Sequence, residues 1–325
     1  RIAGVRKVAG DLVGDDSFHD GVRFYPEWGR QTHRAYHAPV GALSVNFNTV
    51  GFWVRPGASP GVPARVTFDP RPSNLKVNGT IETVAGHGNR TYLTFGTRVA
   101  TISGRIGEGA RPDATYHSIK DPLPFALGTI RDIMAQSGIE VTGNLRGGAV
   151  PAGRVTLHVH ESDELSNIVR HLFRFSNNFT AEQILRTIGA EKAGAPGSRE
   201  NGAAVVTQWL RENHLSHEGV VYFDGSGLAR ENRESATSLV NVLTHVAGQP
   251  RIFPEFLNAP PISRVNGTLR YRFKRSALKG RVRAKTGLLN GVVSLAGYCY
   301  DGRDELYAFA VLVNRYQPTA GLRGP

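Results

Sequence analysis

The sequence has a single cysteine, Cys299, which excludes an intrachain disulfide and a thiolate zinc cluster and leaves the redox compartment open. No apolar stretch reaches the roughly 18 residues expected of a membrane-spanning helix, and Arg1–Gly10 lacks the apolar run of a signal peptide. Because the chain starts at Arg1 and not at Met, an upstream portion carrying the signal is expected, so this lack decides nothing about location. Internal repeats and low-complexity tracts are absent too. Lys and Arg form no run: the excess of 39 Lys+Arg over 27 Asp+Glu is spread along the chain. Dispersed charge of this kind argues against nucleic acid and leaves an anionic cell-wall polymer or a membrane surface as the long-range partner.

What is present is ordinary for a folded protein. The 325 residues are 40% apolar and 20% charged, far from a disordered profile, and exceed the size at which one core usually stops growing, so two or more domains are expected. Up to residue 123 the chain reads as β-rich, with short apolar runs at Gly41–Val54, Ala64–Phe68, Thr91–Phe95 and Val99–Ile106 between Gly, Pro and Asn clusters. From Pro124 the period changes: Phe125, Leu127, Ile130, Ile133 and Met134 share one face of a helix that Gly138 can end. Further helices are expected at Glu164–Phe175, Ser176–Ile188, Ser198–Asn213 and Ser235–Val246, the last three opened by a serine suited to capping. Strands follow at Arg281–Thr286, Val292–Tyr300 and Glu305–Asn314, joined by Asn290-Gly291 and Asp301-Gly302 into consecutive hairpins and hence an antiparallel sheet.

Two short motifs sit on these elements. Ser176-Asn177-Asn178 stands at a helix start, where the simpler role for Ser176 is to cap the helix by accepting a backbone N–H bond. Lys285-Thr286-Gly287 ends a strand, where the simpler role for Lys285 is a solvated guard of the sheet edge. Their combination, 109 residues apart, resembles the motif set of β-lactamases and penicillin-binding proteins.

The flanking text narrows the likeness. Phe175–Glu182 (FSNNFTAE), Asp224–Arg230 (DGSGLAR) and Gly291–Gly297 (GVVSLAG) look like the low-molecular-mass class C penicillin-binding proteins, which are serine D-alanyl-D-alanine carboxypeptidases and endopeptidases. Gly10–Ser17 and Ala38–Asn46 are similar to domains that this family inserts into its catalytic domain, so the resemblance covers nearly the whole chain. It implies an α/β (α+β) fold: a penicillin-binding, β-lactamase-like catalytic domain with an antiparallel sheet flanked by helices, plus inserted β-rich domains. Residues 1–58 would be the first part of the insertion, 59–98 a smaller nested β domain, 99–150 the return, and 151–325 the C-terminal part of the catalytic domain.

One family motif has no convincing match. Ser-x-x-Lys occurs at Ser73–Lys76, followed by a turn signal in the β-rich part, and at Ser276–Lys279, followed by Gly280; neither opens an apolar helix that would bring Ser and Lys to one cleft. In the family the motif precedes the inserted domains. The nucleophile is therefore expected upstream of Arg1, and the fragment alone is expected to be inactive.

The resemblance implies a hydrolase acting on peptidoglycan stem peptides through an acyl-enzyme and binding β-lactams, in a periplasmic or other extracytoplasmic setting. Ser176 would relay a proton to the leaving amine, Asn178 would hold the motif lysine and the substrate amide, and Lys285 with Thr286 would attract the terminal carboxylate. Gly287 and Leu288 complete the substrate strand. Leu288 departs from the hydroxyl residue usual there, though its backbone N–H can still serve as an oxyanion donor. Arg230, with Asp15 or Asp16, would read the stem-peptide diaminoacid.

No cofactor and no metal are expected. His158-Val159-His160 reads as a polar strand face with no third placed ligand, and Asp224-Gly225-Ser226-Gly227 as a turn shaping the cleft wall, since the first glycine of a nucleophile elbow is Asp224 here. The competing functions are a non-catalytic peptidoglycan-binding protein and a general anion-binding protein.

Overall fold

The computed structural model describes residues 4–71, 76–96, 99–215, 218–274 and 277–317; Ser73 and Ser276 lie outside them. The chain divides into two compact units, one running to His160 and including Ala193–Ser198, the other made of Glu161–Lys192 and the chain from Arg199 onward.

The first unit opens with short strands β1 (Lys7–Val8) and β2 (Leu12–Gly14). Its main body comprises β3 (Thr49–Arg55), β4 (Arg65–Asp69), β5 (Lys76–Asn78), β6 (Glu82–Val84), β7 (Asn89–Phe95), β8 (Val99–Gly107) and β9 (Asp113–Ser118). β3 is central in an antiparallel β4-β3-β9 sheet, while β8 pairs antiparallel with β7 along one edge and parallel with β5 and β6 along the other. Alternation does the sorting: Leu93 and Phe95 of β7 are buried while Tyr92 and Thr94, each one residue before them, are exposed. Val50, Phe52 and Val54 of β3 join Leu93, Ile102 and Ile106 in one apolar cluster that also takes in Phe125.

Phe125 belongs to α1 (Pro122–Gln136), which begins on a proline suited to the first turn and is followed by Gly138 at φ 76. The expected apolar face is buried at Phe125 and Leu127, but Ile133 near the far end is 55% exposed. β10 (Glu140–Val141) and β11 (Leu145–Gly147) then return to pair with β1 and β2.

Two expectations fail in this half. Gly41–Val54 is not one run, because Asn46, Phe47 and Asn48 adopt φ of 49, 56 and 51 in a 3-10 turn before β3 starts at Thr49. Asparagine tolerates that backbone region, and the buried Asn48 amide anchors the turn by donating to Pro39 O (2.8 Å) and Ser44 Oγ (2.9 Å). His158-Val159-His160 is not on a strand: Val155, Leu157 and Val159 are exposed in an irregular segment with both histidines beside them. Among the described residues no group of three potential ligands gathers around a metal position.

The second unit contains α2 (Leu165–Phe175), α3 (Asn178–Ala193), α4 (Arg199–Glu212), α5 (Ala236–Ala247) and α6 (Phe253–Asn258), then β12 (Val282–Leu289), β13 (Val292–Tyr300) and β14 (Leu306–Asn314). The three strands form an antiparallel β12-β13-β14 sheet, and Asn290-Gly291 makes the expected two-residue turn with Gly291 at φ 76. The second connection is longer than a Gly-centred turn. Asp301 Oδ1 accepts from Arg303 N (2.7 Å) and Glu305 N (3.0 Å), and the left-handed residue is Asp304, φ 61. Buried Tyr298 of β13 donates to Leu243 O of α5 (2.7 Å), and Phe253 of α6 meets its ring edge-on at 5.5 Å, so this side chain ties both helices to the sheet.

Candidate active site

Ser176 lies in the break between α2 and α3. It is the residue that ends α2, left-handed at φ 53, ψ 51, with its N–H donating to Leu172 O. A non-glycine residue held there costs on the order of 1–3 kcal/mol, strain typical of functional positions. The capping role expected of Ser176 falls to its neighbour, because Asn177 Oδ1 accepts from Thr180 N at 3.0 Å. The Ser176 hydroxyl instead accepts from Lys285 Nζ at 2.7 Å. Two residues distant in sequence thus meet, with Asn178 opening α3 beside them.

Lys285 is not a solvated edge lysine. Its ammonium also donates to Thr286 O at 2.6 Å, and burial pulls its pKa down from 10.5 to about 8. The cation therefore sits where desolvation disfavours it, and an arriving anion would stabilise it. Because Ser176 Oγ accepts from the ammonium, the serine keeps its own proton to donate elsewhere.

The Thr286 hydroxyl contacts Thr268 Oγ1 at 2.9 Å. Next along β12, Gly287 stands opposite Ser294 of β13, whose Oγ would lie 2.2 Å from a Cβ at 287 and would have to turn away from a side chain there. Leu288 is 64% exposed.

A buried polar frame stands behind Ser176 and Asn178. Glu182, one turn beyond Asn178 on α3 and 1% exposed, accepts from Ser226 N at 2.7 Å. Burial, with the nearby Asp224 charge, raises its pKa to about 7. The Asp224–Arg230 loop winds round the Asp224 carboxylate, which accepts from Gly227 N (2.7 Å), Ala229 N (2.8 Å) and Asn232 Nδ2 (2.8 Å). Gly225 lets the loop lie on α3, for a Cβ there would come within 2.5 Å of Ala181 O. At the loop's end, Arg230 Nη2 donates to Asn290 O at 2.7 Å, in the turn that follows Leu289.

Asp15 and Asp16 belong to the first unit and are both engaged there. Asp15 accepts from Ser17 N (2.9 Å), Ser17 Oγ (2.6 Å) and Val150 N (2.7 Å). Asp16 accepts from Leu43 N at 2.6 Å and pairs with Arg23. Sequence reasoning missed Thr268 and the part played by Glu182; the loop glycines around Asp224 are the signal that could have led to the latter.

The sequence matches the D-Ala-D-Ala carboxypeptidase 3 (S13) family over residues 1–323. A D-alanyl-D-alanine carboxypeptidase of Actinomadura sp. strain R39 is 32% identical over 337 residues, covering 98% of this chain and 62% of that protein. The D-alanyl-D-alanine carboxypeptidase DacB of Haemophilus influenzae is 25% identical over 324 residues, covering 96% of this chain and 66% of that protein. The chain therefore spans about two thirds of the length of these curated relatives or slightly less.

The crystal structure of penicillin binding protein 4 (dacB) from Haemophilus influenzae has the same mixed helix and sheet fold, with a TM-score of 0.80 at 22% identity, covering 98% of this chain and 72% of that one. A second structure of that protein, complexed with a β-lactam, gives 0.73 at 22% identity, covering 99% and 71%. Matched through both of its units, the chain belongs to the D-Ala-D-Ala carboxypeptidase 3 (S13) family.

Proposed function

We propose that this chain provides the proton-relay and carboxylate-recognition side of a serine-type D-Ala-D-Ala carboxypeptidase or endopeptidase acting extracytoplasmically on peptidoglycan stem peptides. The observation that carries this reading is the 2.7 Å bond between Lys285 Nζ and Ser176 Oγ. A carboxylate arriving beside the desolvated ammonium gains a charge-assisted bond and places the preceding carbonyl over the nucleophile. Ser176 passes its proton toward the departing amine and takes in its place the proton that the motif lysine removed from the attacking serine, and Asn178 holds the acyl amide. The Leu288 N–H is one oxyanion donor.

The attacking serine, on this reading, lies in sequence beyond these 325 residues. It would form an acyl-enzyme that water hydrolyses, and a β-lactam would be captured by the same attack. Arg230, anchored beside the β12–β13 turn, would contact the stem-peptide side chain. We also read the β-rich part as an insertion with divisions near residues 58, 98 and 150, which limited proteolysis can locate.

The test is labelling of the full-length protein by a fluorescent penicillin, followed by mapping of the adduct. An adduct on a serine whose partner lysine follows three residues later, outside this chain, agrees with the proposal; an adduct on Ser176 overturns the relay role. Binding of peptidoglycan without any adduct would favour the non-catalytic alternative.

A further inference from the structure

Thr286 Oγ1 ends on a second hydroxyl, Thr268 Oγ1, at 2.9 Å. Thr268 is the middle residue of the 3-10 turn Gly267–Leu269, and both of its neighbours fix its place. Gly267 has φ 54, and a Cβ there would lie 2.8 Å from Arg174 O and 3.1 Å from the Pro261 ring. The turn is thus pressed against the last residues of α2, two positions before Ser176. Leu269, with no exposed surface, is packed against Val282 and Ala284 of β12. Arg264 N donates to Leu269 O (3.1 Å) and Arg270 N to Gly267 O (3.1 Å), closing the turn on itself.

We propose that Thr268 is a positioning residue for carboxylate recognition: it orients the Thr286 hydroxyl so that Thr286 can donate to the terminal carboxylate of the ligand. The inference rests on the substrate reading given above. A hydroxyl has one proton to donate. In the structure the Thr286 proton is directed to Thr268; to serve a carboxylate, Thr286 must turn that proton outward and accept a bond in return. Thr268 supplies the return bond by rotating its own O–H, so the pair reverses without movement of either backbone. Valine at 268 keeps the shape and offers neither the acceptor nor the donor. The role carries more weight here because Leu288 stands where the family's usual pattern has a hydroxyl, leaving Thr286 as the hydroxyl-bearing residue in the segment Lys285–Leu288.

The experiment uses the full-length protein as wild type, Thr268→Val and Thr268→Ser, with an N-acylated D-alanyl-D-alanine peptide and the same peptide as its C-terminal amide. Turnover and equilibrium binding by calorimetry are both measured. Thr268→Val is expected to raise KM and Kd for the acid peptide about 10-fold, the size of a lost hydrogen bond to a charged group. We expect kcat to stay within about two-fold and amide binding to be unchanged, while Thr268→Ser returns the acid peptide close to wild type.

Equal weakening of both peptides, no weakening of either, or failure of serine to rescue would each overturn the inference. If wild type binds the acid peptide without cleaving it, the enzymatic reading falls and the binding arm alone judges Thr268. If wild type binds neither peptide, both fall. Should Thr268→Val not fold, Thr268→Ala is read by the same acid-versus-amide contrast.

Discussion

The two units bury different things. In the first, strands and α1 contribute Val50, Phe52, Ile106 and Phe125 to one continuous apolar cluster. The second buries apolar side chains too, among them Leu243, Leu269 and Val282, but it also buries Glu182, Arg186 and Asp224, whereas the first buries neutral polar residues such as Asn48, Thr83 and Ser118. Apolar burial is non-directional and supplies stability, whereas buried polar groups must be matched one to one and so fix positions. The comparison teaches that, among the described residues, the buried aspartate, glutamate and arginine all lie in the second unit, the one that also carries Ser176, Lys285 and Thr286.

The contrast breaks most visibly if a core residue of the first unit turns out to govern chemistry. Phe52→Ala should cost about 3–5 kcal/mol of stability, read by denaturant melts of the full-length protein, with the penicillin-labelling rate of the folded fraction unchanged. A matching loss of labelling rate would erase the distinction between the units.

Next in size is the effect of Glu182, whose carboxyl is raised to about 7 in the folded protein. Below its unfolded pKa near 4.5 both states are protonated; between about 4.5 and 7 unfolding releases a proton, so this residue makes stability fall as pH rises through that window, by about 3 kcal/mol in all, and contributes no further slope above it. Glu182→Gln keeps an acceptor for Ser226 N and removes the titration. The difference between the two proteins' pH–stability curves should therefore fall through that window and level off above about 7, which chemical denaturation at a series of pH values checks.

On the proposed relay role, Ser176→Ala should lower kcat/KM of the full-length protein for a D-Ala-D-Ala peptide about 100-fold, with the melting temperature unchanged, since Asn177 and not Ser176 caps α3. A large fall in melting temperature with normal turnover would make the serine structural.

The smallest effect is a pH limb. Lys285, lowered to about 8 by burial, loses its charge above that pH, so kcat/KM should fall as pH rises, approaching about ten-fold per unit well above 8. Lys285→Arg should remove this limb while lowering the plateau, because guanidinium keeps its charge but not the ammonium's shape.

Much of this was legible in the sequence for local reasons. Asn290-Gly291 announces a two-residue hairpin and the strands around it follow; Ser235 caps α5 by accepting from Ser238 N at 3.0 Å. The meeting of Ser176 with Lys285 was readable only through paired motifs, since nothing local links positions so far apart. What escaped was long-range or contrary to local preference. The left-handed break that makes Ser176 end one helix instead of starting the next hides behind an acceptable capping sequence. Thr268 and Glu182 have partners 18 and 44 residues away; Thr268 carries no pattern of its own, and Glu182 closes the segment Phe175–Glu182 without any local sign of its bond to Ser226. His158 and His160 alternate like a strand, yet the segment stays irregular because alternation specifies a strand only where a neighbour offers pairing.

The glycine opposite Ser294 has a consequence beyond the space it saves. Ser294 Oγ fills the volume that a side chain at 287 would take, while on the neighbouring strand Gly297 lies so close to Ala284 that a Cβ would come within 2.9 Å of the alanine's own. Each strand carries one notch and the other strand a matching tooth. Sliding β12 along β13 by two residues would keep every side chain on its proper face but would part both glycines from these neighbours. The register that sets Gly287 opposite Ser294 and Gly297 opposite Ala284 is also the one that stands Lys285 opposite Ala296.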